Sequence, residues 1–131
     1  MRIQLRALLV GVLISISTAI SAKIAPPKPV PPVVSAGVRY SADREGKDQY
    51  VEATDTATEK QLWRVKVFHT HIKPWIEEDV QWVFITDLKL VKNSLFVRDG
   101  KQRCYAVDVK TRAIAKADCS GVFVDRETSA H

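Results

Sequence analysis

From Gly37 onward the chain is a series of short stretches rich in Val, Tyr, Phe, Trp and Ile, separated by polar turn residues and almost free of helical periodicity. This pattern predicts strands over Val38 to Ser41, Gln49 to Thr54, Lys60 to His69, Val80 to Val91, Ser94 to Arg98, Gln102 to Val109 and Arg112 to Ala117. In the fourth of these, Val80, Trp82, Phe84, Leu88 and Leu90 share one parity while Gln81, Asp87 and Lys89 share the other. The even face is therefore expected to be core, with Trp82 buried in it. Asn93 and Ser94 mark a tight reversal, and Asp99-Gly100 is a strong short hairpin signal. Only the stretch after Pro74, from Trp75 to Asp79, suits a turn or two of helix, because Pro fits a first helical turn and acids fit its N-terminal end. The fold class implied is mainly β: a small antiparallel β-meander sheet or partly open barrel of about six to seven strands, with at most one short helix.

The N-terminal pattern is different. Arg2 and Arg6 precede an almost unbroken apolar run, Ala7 to Ile20, followed by small residues, which is the layout of a secretory signal peptide over residues 1–22. Cleavage is expected after Ala22, with Ile20 two residues upstream, or after Ala19, with Ser17 upstream. The alternative is an uncleaved anchor, but the run is nearer about fourteen residues than the roughly twenty a bilayer requires. No cysteine adjoins the cut to take a lipid, so no stable membrane insertion is expected once the signal is removed. The expected location is periplasmic or secreted.

Residues 23–36 form a proline-rich linker in which the run APPKPVPPVV, from Ala25 to Val34, carries five prolines in seven positions. Missing backbone donors and a fixed φ make such a run extended and semi-rigid. It reads as a spacer or, alternatively, as a ligand for a proline-recognising groove. The β-rich domain then occupies 37–119 and a flexible C-terminal tail 120–131. With the signal removed, 18 basic residues face 15 acidic ones, a net charge of +3. So small and interleaved a surplus does not make the electrostatic footprint of a nucleic-acid binder.

A weak repeat organises the domain. Ala53, Asp55 and Thr58 recur as Ala106, Asp108 and Thr111, each in the frame AxDxxT between apolar runs. Each frame reads as a hairpin in which the Asp accepts hydrogen bonds from turn N–H groups and the Thr hydroxyl closes the turn from the other side. The first frame, AxDxxTEKQLW from Ala53 to Trp63, resembles the AxDxxTGKxLW repeat of quinoprotein-type (PQQ-like) β-propellers, with Glu59 in place of the turn glycine. YAVDVKTRAI, from Tyr105 to Ile114, is similar to a degenerate copy. The resemblance implies a blade-type hairpin and a packing role for Trp63, and it implies no quinone binding. The chain as a whole also resembles small exported bacterial proteins.

Candidate chemistry is sparse. Cys104 and Cys119 are the only cysteines, and in an oxidising compartment a lone pair is expected to bridge, pinning the C-terminal segment to the sheet. A reactive thiol is the alternative, but no CxxC spacing is present. His69 and His71 form an HxH pair that would share a face if the strand continued through Ile72, and Glu77, Glu78 or Asp79 could add an oxygen ligand to a metal. The alternative is that the pair simply ends the face begun by Trp63, Val65 and Val67. Adjacent Glu77 and Glu78 diverge in direction and do not flank a single bond as paired catalytic carboxylates do. Trp75, beside Pro74 in the least regular segment, is the interface candidate.

These features imply no cofactor and no enzyme. They point to a non-catalytic binding or interaction module of the cell envelope, with an envelope protein or polysaccharide as partner. The alternatives are an inhibitor or accessory factor of an envelope enzyme, and a metal-binding protein using His69 and His71.

Overall fold

A computed structural model describes residues 28–123. The expected signal peptide, the first residues of the linker and the end of the tail lie outside the described residues. Eight strands follow one another: β1 (Val33–Ser35), β2 (Val38–Glu45), β3 (Asp48–Asp55), β4 (Gln61–His69), β5 (Ile85–Val91), β6 (Ser94–Asp99), β7 (Cys104–Asp108) and β8 (Ile114–Ala117). They form two four-stranded antiparallel meanders, β1-β2-β3-β4 and β5-β6-β7-β8. The mainly-β expectation holds, whereas the single sheet or partly open barrel of six to seven strands does not. The described chain divides at residues 70–84, where Pro74 cannot donate to a ladder and the connection is too long for a hairpin.

The turns explain why each sheet is a meander. Ala36 and Gly37 both take positive φ, 50° and 76°, between the paired residues Ser35 and Val38, which matches the two-residue hairpin that continues strand twist. The two AxDxxT frames are the β3–β4 and β7–β8 hairpins, and they are built alike. The Asp55 carboxylate accepts from the N–H groups of Ala57 and Thr58, and the Thr58 hydroxyl accepts from Lys60 N–H. Asp108 accepts from Lys110 and Thr111, and the Thr111 hydroxyl accepts from Ala113 N–H. Glu59 and Arg112 hold the same left-handed position in the two turns, at φ 56° and 65°. A third turn, after β6, uses Asp99 similarly, its carboxylate accepting from Lys101 and Arg103 N–H. The hairpin signalled by Asp99-Gly100 is therefore present, but Gln102, at φ 64°, takes the left-handed position.

Three sequence expectations need correction. Val33–Ser35, within the expected linker, pairs with β2 as a strand, and Val30 and Val33 pack against the core. The expected strand from Val80 begins only at Ile85, after a 3-10 turn, Asp79–Gln81, that shares only Asp79 with the stretch expected to be helical, Trp75 to Asp79. The even parity also fails over its first half, because Val83 and Ile85 are buried while Val80 is exposed. The cause is a register shift between Ile85 and Asp87, which inserts Thr86 as an extra residue opposite β6. Such a bulge reverses parity, so the odd residues face the core before it and the even ones, Leu88 and Leu90, after it.

The sheets meet in one core cluster, with Tyr40, Val51, Ala53 and Val67 from the first and Ile85, Leu95, Val97, Tyr105 and Val107 from the second. Phe68 stacks on Tyr105 across the junction, ring centroids 5.2 Å apart. Burial there raises the Tyr105 phenol above its ordinary pKa.

The faces turned away from this core differ. On the first sheet Arg64 bonds Asp43 at 2.8 Å and Glu52 at 3.1 Å, lies 3.3 Å from Glu45, and sits over the Tyr50 ring. On the second sheet the chain after β8 folds back. Cys104 and Cys119 form a disulfide, with Cα atoms 5.8 Å apart. Lys89 Nζ donates to the Val122 carbonyl at 2.7 Å, and Arg98 lies over the Phe123 ring. Residues 120–123, expected to begin a flexible tail, are thus held against the sheet, with Val122 and Phe123 half-buried.

Candidate functional site

The segment joining the sheets is organised by side chains whose importance no spacing rule reveals. Thr70 N–H donates to Lys47 O at 2.8 Å, and Val83 N–H donates to the Thr70 hydroxyl at 3.3 Å, so the two ends of loop 70–83 are tied together. Gln81 fills the middle. Its Oε1 accepts from Lys73 N–H at 2.7 Å, and its Nε2 faces the carbonyls of Lys73, Ile76 and Glu77 at 3.0, 2.9 and 3.2 Å. A loop with joined ends and its own internal packing is an Ω-type loop, a frequent carrier of recognition residues.

The loop displays Trp75 at 76% exposure, with Ile76 and Val80 also exposed and Glu77, Glu78 and Asp79 beside them. Trp82 turns the other way. It packs on the β2–β3 turn, where a Cβ at Gly46 would stand 3.4 Å from its ring, and it meets Phe84 edge-on. That spacing is ordinary contact, so the reason this turn keeps glycine is the φ of 56° at Gly46. Trp82 is half-buried, and its indole N–H is buried without a hydrogen-bond partner.

Between the loop and the start of the second sheet is a groove of about 520 Å³, within the size range of small-molecule pockets. Trp82, Val83 and Phe84 contribute to its lining, as do Ile76 and Val80 from the loop. The groove's ionisable lining residues are His71, Lys73 and Lys101.

The two candidate histidines have different surroundings. His69 ends β4, and its Nδ1 lies 2.6 Å from an Asp48 carboxylate oxygen. That contact, aided by Lys66, holds the Asp48 carboxyl below the ordinary carboxylate range. His71 lies beyond the end of the strand and lines the groove. Among the described residues no group of three or more His, Cys, Asp or Glu side chains is placed to hold a metal. The cysteine pair is a disulfide, and Trp75 is exposed as its sequence context suggested.

Sequence reasoning missed Gln49 and Gln81. Gln49 carried a usable signal, a polar residue sharing the parity of Val51 and Ala53, whereas Gln81 carried none. No protein-family model matches this chain, and no curated protein matches it.

Proposed function

We propose that this chain is an exported, non-catalytic binding module of the cell envelope that presents loop 70–83 to an envelope protein or polysaccharide. The observation that carries the reading is Trp75, 76% exposed on a loop tied at its ends and centre. Keeping a large apolar ring in water forgoes about 25 cal/mol for each Å² that burial would remove. A loop already ordered before contact loses little further entropy on binding. Export is supported by the basic and apolar N-terminal pattern and by the Cys104–Cys119 bridge. Among the described residues no helix is long and apolar enough to cross a membrane. The quinoprotein-type resemblance enters this proposal only as a shared way of building hairpins, supported by the matching turns at Asp55 and Asp108.

The test is affinity capture from an envelope extract of the host, with the wild-type chain and Trp75→Ala as parallel baits. The reading expects a partner retained by the first and lost by the second. Equal recovery on both baits would sink it. The same fixed, exposed loop suits an inhibitor or accessory factor, and a captured hydrolase whose activity changes on binding would select that form of the reading.

A further inference from the structure

The groove behind the loop has a one-sided chemistry. Its walls are largely apolar, with Trp82 and Phe84 as the large rings, while Lys73, Lys101 and His71 are the only ionisable lining residues among the described residues. No acid lines it. Glu77, Glu78 and Asp79 lie on the same loop but outside the lining. Asp99, nearest in sequence to Lys101, is fully buried and engaged by Arg103 at 2.7 Å. Neither lysine is paired with a carboxylate of another described residue. A cationic ligand would meet like charge here, and a neutral apolar one would leave two lysines unused.

We infer that this groove binds a small organic carboxylate with an apolar body, of which a medium-chain acyl carboxylate is the simplest example. The apolar body packs on Trp82 and Phe84, and the carboxylate is drawn to the Lys73 and Lys101 ammonium groups. Partial removal from water strengthens that attraction relative to a fully exposed pair. A single carboxylate also loses less hydration on entering a half-apolar site than a multiply charged anion does. The inference rests on the loop being a recognition surface, and it adds the class of small molecule accepted behind it.

The experiment titrates octanoate, octylamine and octanol into the ¹⁵N-labelled, disulfide-bonded mature chain while the indole N–H resonances are followed, assigned through Trp→Phe variants. Octanoate, with about ten non-hydrogen atoms, is expected to shift the Trp82 resonance saturably with a dissociation constant of about a millimolar. Octanol, octylamine, and octanoate with the Lys73→Gln/Lys101→Gln variant should each be at least about tenfold weaker, the loss expected when a charged partner is removed. Both lysines are exposed, so the amide spectrum of the double variant should otherwise stay native. Equal affinity for octanoate and octanol, tighter binding of octylamine, or an unmoved Trp82 resonance overturns the inference. Trp75 is not part of the lining, so Trp75→Ala should bind octanoate as wild type does. Absence of octanoate binding in protein that still captures its partner through Trp75 would overturn the carboxylate site alone.

Discussion

The side chain of Gln49, fully buried on β3, accepts a hydrogen bond from the backbone N–H of Ile85 at 3.1 Å, where β5 begins. Its amide nitrogen meanwhile donates to the carbonyls of Gly46 and Asp48, so one side chain serves the turn of the first sheet and the entry of the second. Replacing Gln49 by Met keeps the approximate volume but leaves the Ile85 N–H buried without an acceptor. The expected cost is about 1–3 kcal/mol, the usual penalty for an orphaned buried polar group. Urea denaturation monitored by tryptophan fluorescence checks this, and a change within about 0.5 kcal/mol, as at indifferent surface positions, would show the bond to be dispensable.

Removing the bridge with Cys104→Ser and Cys119→Ser should destabilise the domain by about 3 kcal/mol, from the entropy regained by an unfolded chain no longer closed over a loop of about fifteen residues. The residues after β8 should loosen as well. Their remaining anchors include the bond of Lys89 to the Val122 carbonyl and the Arg98 contact with the Phe123 ring. Hydrogen exchange at residues 118–123 should rise in the double variant before that of β6 or β7 does. Unchanged exchange there would mean that the segment is held without the bridge.

One hairpin aspartate, Asp108, gives a pH dependence of known sign. Backbone N–H groups of Thr111 and Lys110 hold the Asp108 carboxyl below its ordinary pKa. A depressed carboxylate contributes stability that is fully present above the unfolded value, about 3.9, and is lost as pH falls through the lower folded value. Asp108→Asn keeps one acceptor oxygen for the turn but cannot titrate. The variant should therefore be close to wild type at pH 7 and lose less stability than wild type as the pH falls below about 4. Parallel thermal melts across that range measure the difference, and identical acid slopes would refute the assignment.

Position 112 tests whether the left-handed turn residue is strained. Arg112→Gly should stabilise the domain by about 1 kcal/mol, less the extra freedom that glycine gives the unfolded chain. Glu59→Gly relieves the same conformation but also removes the 2.6 Å Arg39–Glu59 ion pair, so its gain should be smaller. Denaturation midpoints rank the two, and a larger gain at 59 would contradict the equivalence of the turns.

How far these features could be read in the sequence depended on how local their causes are. The AxDxxT turns and the cysteine bridge follow from a few neighbouring residues or from a count, and they stand as expected. The parity of residues 80–91 does not, because periodicity reports which residues share a face only while the ladder is regular, and the extra residue Thr86 resets it. The division into two sheets was equally hidden: alternation around Val65 and around Leu95 looks the same whether the strands share a ladder or face each other across a core. Trp75 was legible as exposed through its place beside Pro74. The groove was not, since its lining draws on Thr70, Val83 and Lys101, which come together only once both sheets are in place.

Among the described residues every strand forms its backbone ladder only with its neighbours in sequence, and no ladder joins the two halves. All the loop closures within a sheet are therefore short, and their entropic cost grows only slowly with length. The costly step is instead the encounter of two preformed meanders, in which the N–H of Ile85 must find Gln49 and Phe68 must find Tyr105. For a chain emerging N-terminus first, β1–β4 can assemble while the second half is still arriving. Since both cysteines belong to that second half, oxidation can follow assembly without any choice of partner.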